Sequence, residues 1–213
     1  MICPTVTADT PGEYRRQMQH VGNLSRRLHI DLADGTLAPR KLLPLNQIWW
    51  PEGKQIDLHV MIRYPLDLLT DILEVRPNLV IVHAEAEGDF MALAGQLHSR
   101  RIRVGVALLA STDVRSITPV LKILDHVLVF SGNFGYQGGG QVDWSLLDKV
   151  AWLKQARPEL EIGWDGGINQ HNVGRLAHSG IDVLNVGSAI QREPNYHIAY
   201  AKLLNEVRRI PRV

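Results

Sequence analysis

The chain carries one cysteine, Cys3, so no internal disulfide can form. A lone cysteine at the start of an apolar stretch reads as a small buried hydrophobe, and the chain is expected in a reducing cytoplasm. Charge of either sign is not in excess: Lys plus Arg number 23 and Asp plus Glu 22. That balance gives no bulk attraction for nucleic acid. No stretch approaches the roughly 20 apolar residues that a membrane helix needs. The first residues lack the charged-then-apolar pattern of a secretion signal. A dinucleotide fold would need G-x-G-x-x-G after the first strand, and that place reads Thr7-Ala8-Asp9-Thr10-Pro11. With no low-complexity tract or linker, residues 1–213 are expected to form one domain.

What is present is an alternation of strand-like and helix-like stretches. The strand-like ones are 2–8, 28–33, 56–62, 79–83, 104–109, 126–130, 160–164 and 183–186. The helical ones are 11–22, 65–75, 89–100, 113–121, 143–156, 169–179 and 195–208, and between 42 and 53 the pattern is broken by Pro44, Pro51 and Gly53. The strands are nearly continuous apolar runs, as in Leu79-Val80-Ile81-Val82, which marks parallel strands covered on both faces. Eight β/α units of this length predict a compact, all-parallel (β/α)8 TIM barrel, with an open doubly wound sheet as the alternative.

Against that apolar background a few polar residues stand out. His29 and Asp31 end the second strand, His59 the third, and Asp165 lies at the end of the seventh. Residues i and i+2 of a strand face the same way, and barrel active sites gather at the strands' C-terminal ends. The barrel therefore brings all four to one mouth. Buried charge is costly unless paired or metal-bound. Two imidazoles and two carboxylates suit one divalent metal ion, Zn²⁺, Fe²⁺ or Mn²⁺. The plainer reading of any one alone is a satisfied polar residue of the interior; the four together favour a site.

Glycines follow the last three strands: the run from Ser131 through Gly135, Gly138, Gly139 and Gly140, then Gly166-Gly167, then Gly187-Ser188. Glycine lets backbone N–H groups close on phosphate oxygens, and barrels often hold phosphate there. Each alone is equally an ordinary turn. His83 and Glu85 end the fourth strand and read as mouth or structural residues alike. Trp49-Trp50 read as packing or a subunit contact, and Arg26-Arg27 and Arg100-Arg101 as solvated helix ends.

Several stretches resemble the ribulose-phosphate 3-epimerase family over nearly the full length. They are His29-Ile30-Asp31-Leu32-Ala33-Asp34-Gly35, Asp57-Leu58-His59-Val60-Met61, Val82-His83-Ala84-Glu85-Ala86, Val104-Gly105-Val106-Ala107-Leu108, Asp165-Gly166-Gly167-Ile168-Asn169 and Gly187-Ser188-Ala189-Ile190. The resemblance implies that His29, Asp31, His59 and Asp165 bind one divalent metal, and that Asp31 and Asp165 also move the proton that inverts C3 of a ketose phosphate. It implies Thr7, Met61 and the glycine loops with Ser188 as substrate and phosphate contacts, and a homo-oligomer acting on a small sugar phosphate.

The chain also departs from the family. Ala33 and Phe130 stand where the family usually carries Met. The phosphate loop reads Asn133-Phe134-Gly135-Tyr136-Gln137-Gly138-Gly139 in place of Asn-Pro-Gly-Phe-Gly-Gly-Gln, and the early Ser-rich segment becomes Pro4-Thr5-Val6-Thr7. These changes bear on the substrate more than on the reaction. Two other readings remain open. Related barrels decarboxylate or condense sugar phosphates with Asp-x-Lys-x-x-Asp, but here Asp31-Leu32-Ala33-Asp34 has no lysine. The other is a sugar-phosphate-binding protein without catalysis on a diverged epimerase scaffold.

Overall fold

Eight parallel strands close on themselves in chain order, β1 pairing with both β2 and β8 in a computed structural model that describes residues 1–136, 138 and 140–209. The strands are β1 (Ile2–Val6), β2 (Arg27–Ala33), β3 (Gln55–Met61), β4 (Leu79–His83), β5 (Arg103–Leu108), β6 (His126–Phe130), β7 (Glu161–Asp165) and β8 (Val183–Val186). Around them run α1 (Pro11–Val21), α2 (Leu69–Val75), α3 (Phe90–Ser99), α4 (Leu147–Ala156), α5 (Val173–Ala177), α6 (Ser188–Gln191) and α7 (Tyr196–Arg209). This is the (β/α)8 barrel that the sequence predicts. No helix is long and apolar enough to cross a membrane among the described residues.

Local chemistry sets the helix ends. Thr10 caps α1 by accepting the Glu13 N–H at 3.2 Å, and Pro11 opens the helix where no N–H is needed. Asp89 caps α3 through the Ala92 N–H at 2.9 Å.

Two units lack an α-helix among the described residues. After β2, Pro44 and Pro51 leave only a 3₁₀ turn at Leu45–Gln47, matching the broken pattern there. The helix expected over 113–121 is replaced by two 3₁₀ turns, Val114–Ile117 and Leu121–Ile123. The reason is Pro119: Thr118 still has helical backbone (φ −51, ψ −41), but Pro119 supplies no N–H for the next i→i−4 bond and its ring crowds the carbonyl of Arg115, so the turn cannot lengthen into an α-helix. The helix expected over 169–179 shortens to α5. Its first residues form a polar turn instead, with Asn172 Oδ1 accepting the Asn169 N–H at 2.8 Å.

Alternation along each strand sorts side chains between two cores. Leu28, Ile30, Val80, Val82, Leu184 and Val186 face outward into the main apolar layer beneath the helices. The inward face is divided. Midway along β4–β6 it is apolar, with Leu79, Ile81, Ala107 and Leu128 forming a small cluster of their own between His126 below and His83 above. On β1–β3, β7 and β8 it is polar: Thr5, His29, Asp57, His59 and Asn185 are all buried there.

The barrel floor corrects one expectation. Arg27 is no solvated helix end; it lies on β2, 6% exposed, and points inward. Its Nε donates to Asp57 Oδ2 at 2.8 Å and its two terminal nitrogens grip Glu161 at 2.9 and 2.8 Å. Arg103 and His126 also bond Glu161, each at 2.9 Å. An ideal Cβ on Gly163 would stand 2.5 Å from His126 Nε2, so that position gives the imidazole its space. A bidentate, multiply hydrogen-bonded arrangement is the form in which the charges of Arg27, Asp57 and Glu161 are tolerated inside.

Candidate metal centre and active site

The mouth of the barrel gathers the four residues singled out in the sequence. One ligand atom from each of His29, Asp31, His59 and Asp165 lies within 4.8 Å of the other three. β2 supplies the first two, β3 the third and β7 the last; Asp31, His59 and Asp165 lie in the C-terminal halves of their strands, and His29 one pleat below Asp31. Asp31 is the hub. Its Oδ1 lies 2.9 Å from His59 Nδ1 and 3.3 Å from His29 Nε2. Its Oδ2 accepts the Thr7 hydroxyl at 2.5 Å. Thr7 is itself held by Gln17 of α1, which accepts the Thr7 N–H at 2.9 Å and donates to the Thr7 carbonyl at 2.8 Å. Asp165 Oδ2 lies 3.5 Å from the same His29 Nε2.

His29 is fully buried, yet neither ring nitrogen has a hydrogen-bond partner. An imidazole at ion-pair distance from two carboxylates but with hydrogen-bond geometry to neither is poorly satisfied as packing and suits a metal ligand. The donor set, two nitrogens and two carboxylates, fits a borderline divalent ion.

The two carboxyls are driven apart in acidity. Burial pushes Asp31 up, but the imidazoles of His29 and His59 pull harder and hold it below the usual carboxylate range. Burial lifts Asp165 to about 7; His29 opposes the rise and the charge of Asp31 adds to it. Burial likewise pushes His59 down to about 4, against the pull of Asp31.

His83, a residue the sequence leaves undecided, extends this cluster. Its Nε2 lies 2.8 Å from His59 Nε2, and its Nδ1 lies 3.2 Å from Glu85 Oε2. Glu85 in turn accepts from the Thr112 hydroxyl. The rings of Phe130 and Phe134 cover the pair, with Phe134 centred 4.6 Å from His83. Phe130 thus occupies the wall beside the cluster, while Ala33 and Met61 pack with Ala38, Leu42 and Phe134.

A cavity opens beside the cluster toward the last strands. Asp31, Asp165, Thr7 and Met61 line one side; Gly135, Gly138, Gly166, Gly167, Gly187 and Ser188 line the other. Gly139 and Gln137 lie outside the described residues. Two glycines are required by geometry. Gly166 has φ +107 and Gly167 φ +72, and a Cβ on Gly166 would stand 2.1 Å from the Gly132 nitrogen. The loops after β6 and β7 therefore touch backbone to backbone. Over the mouth, Arg40 pairs with Asp9 and sits 5.4 Å over the Tyr136 ring, linking the loops after β1, β2 and β6.

Asn185 also lines this cavity, and the sequence gives it only as one residue of an apolar strand. A polar side chain within a four-residue barrel strand is the signal that could have found it.

Known proteins align with this arrangement. The profile described as Ribulose-phosphate 3 epimerase family matches residues 1–191. A ribulose-phosphate 3-epimerase of Treponema pallidum (strain Nichols) is 31% identical over 169 residues, covering 76% of this chain and 77% of that protein. Another, from Schizosaccharomyces pombe (strain 972 / ATCC 24843), is 27% identical over 199 residues, covering 89% and 86%. Among solved structures, a 3-hexulose-6-phosphate synthase from Salmonella typhimurium superposes with TM-score 0.72 at 16% identity, covering 98% of each chain. At that identity the likeness speaks for the fold alone. The sequence match carries the assignment: spanning residues 1–191 and reaching 31% identity in a relative, it shows that this chain belongs to the ribulose-phosphate 3-epimerase family of isomerases.

Proposed function

We infer that this protein inverts C3 of a ketose phosphate, interconverting D-ribulose 5-phosphate and D-xylulose 5-phosphate or a close analogue, with one divalent metal held by His29, Asp31, His59 and Asp165. The observation that carries the reading is the convergence of those four donors within 4.8 Å, with His29 otherwise partnerless. When bound, such an ion supplies Lewis-acid polarisation of a carbonyl and offsets negative charge developing on neighbouring oxygens.

The protein's own groups would move the protons. Inversion without a redox cofactor needs an acid and a base on opposite faces of the carbon. Asp31 and Asp165 come from different strands, β2 and β7, and both reach His29 Nε2, at 3.3 and 3.5 Å. One carboxyl favours its charged form and the other holds a proton to about 7. Two carboxyls in different states at neutral pH suit this division of roles. Which one starts depends on the epimer bound.

Thr7 fixes the rotation of Asp31 through its short hydrogen bond, and Gln17 fixes Thr7. Gly166, Gly167, Gly187 and Ser188, with Gly135, Gly138 and Gly139 of the β6 loop, would take the phosphate through backbone N–H groups. Self-association into a homo-oligomer is part of the same reading, as is one domain over the chain and a cytoplasmic setting.

The test is solvent-proton exchange at C3, followed by NMR in heavy water against a panel of ketose phosphates, with elemental analysis of the same protein. Exchange and epimerisation with about one metal per chain are expected. Absence of exchange with every member of the panel would refute the reading.

A further inference from the structure

We propose that Asn185 is a substrate-contacting residue, whose carboxamide binds the sugar hydroxyl lying between the reacting carbons and the phosphate.

Asn185 is 2% exposed, and neither its Oδ1 nor its Nδ2 has a hydrogen-bond partner. Burying a primary amide without partners is unfavourable. The charged groups of the barrel floor are paired by contrast, Arg27 bonding both Asp57 and Glu161. The unpartnered amide instead lines the active-site cavity, together with Asp165, Gly187 and Ser188.

Its position says what it would meet. Asn185 stands in register with Asp165 on β7 and with Cys3 on β1. Two residues further along the chain begin Gly187 and Ser188, the last glycine step of the cavity. It therefore sits between the carboxylate that handles C3 and the loops that take the phosphate. This placement rests on the epimerase reading above. In a five-carbon ketose 5-phosphate, the group between those two ends is the C4 hydroxyl.

The chemistry agrees. A carboxamide offers one donor group and one acceptor. A hydroxyl can use both. A phosphate dianion has no hydrogen for Oδ1, and an apolar carbon would leave both atoms unmet. A site built around a substrate hydroxyl rejects the analogue that lacks it, because its own buried polar atoms are then stranded. Asn185 would thus set selectivity at the carbon next to the reacting one, a position that is not itself changed by the reaction.

The experiment compares Asn185→Leu, close in volume, with the parent protein. Calorimetric affinity and kcat/KM are measured for D-ribulose 5-phosphate and for its 4-deoxy analogue, and the melting temperature is recorded without ligand. The parent should favour the hydroxylated ligand by about 10-fold or more. The variant should lose that preference while melting no lower than the parent, since it buries no stranded amide. A residue that merely supported the fold would lower the melting temperature and leave the preference intact. If the leucine variant does not fold, Asn185→Ser is read by the same ratio and should weaken the preference.

Equal preference in parent and variant, with turnover retained, overturns this proposal alone. A preference that depends on Asn185 without any epimerisation supports it and refutes the epimerase reading. Failure of the parent to bind either ligand overturns both.

Discussion

The Nε2 atoms of His59 and His83 face one another at 2.8 Å, while His59 Nδ1 lies 2.9 Å from Asp31 Oδ1. Two imidazole nitrogens at that distance need one hydrogen between them. If His59 Nδ1 serves as a metal donor, its hydrogen must sit on Nε2 and be given to His83. His83 then carries its own hydrogen on Nδ1, facing Glu85 Oε2 at 3.2 Å. The chain Glu85–His83–His59 thus favours the tautomer of His59 that a metal requires.

His83→Ala should therefore weaken metal binding by about 10- to 100-fold, as loss of a partner behind a metal-binding histidine typically does. Competition against a chelator of known affinity gives the number. Unchanged affinity would show that His83 does no more than fill space under Phe130 and Phe134.

Asp31 and Asp165 should respond differently from His29 and His59. Asp31→Asn and Asp165→Asn keep an oxygen near the cluster but lose a proton carrier, and each should slow C3 exchange by ~10²–10⁴-fold with only partial loss of metal. His29→Ala and His59→Ala should lose metal and activity together. Near-parent exchange rates in either Asn variant would end the two-carboxyl scheme.

The glycine loops make a claim about the phosphate. Free ketose should bind far more weakly than its phosphate ester. Gly167→Ala places a Cβ at φ +72 within 2.4 Å of the Gln141 carbonyl carbon, so the loop must shift and KM should rise. Gly187 has φ −96, so Gly187→Ala isolates the loss of close approach from backbone strain. Equal turnover of free and phosphorylated sugar would remove the loops from substrate binding.

The floor network gives a pH test. Burial pushes Glu161 up, but His126 and Arg27 outweigh it, so its folded acidity lies below the usual carboxylate range. A depressed carboxylate contributes stability above its unfolded value, near 4.5, that is lost as pH falls toward the folded value. His126 is also depressed, chiefly by burial, so the unfolded chain again binds more protons as pH falls below about 6.5 and stability drops in the same direction. Glu161→Gln should cost about 3 kcal/mol at neutral pH, the low end for breaking a buried pair because a quarter of the side chain is exposed. The gap from the parent should narrow as pH falls below about 4.5. Thermal melts across pH showing a constant gap would mean that the charge of Glu161 is irrelevant.

The strand pattern and the convergence of His29, Asp31, His59 and Asp165 are legible because each rests on a local signal: continuous apolar runs, and polar residues that interrupt them. Arg27 was misplaced because its partners, Asp57 and Glu161, are 30 and 134 residues away. Only the closed barrel makes them neighbours. The helix expected over 113–121 failed for a local reason, Pro119, whose effect the apolar spacing of Val114, Ile117 and Leu121 concealed. His83 and Asn185 could not be ranked from sequence. Their meaning lies in what they face: another imidazole in one case, and the active-site cavity in the other.

The divided interior has a consequence for how such an enzyme can change. Leu79, Ile81, Ala107 and Leu128 form a dry keel along β4–β6, and the Arg27–Glu161 network clamps the floor. Neither lines the cavity beside Asp31 and Asp165. Cohesion is thereby concentrated away from the cavity wall. Single replacements on that wall, such as Phe130 or Asn185, can reshape the cavity while leaving the scaffold's cohesion to residues that evolution need not disturb.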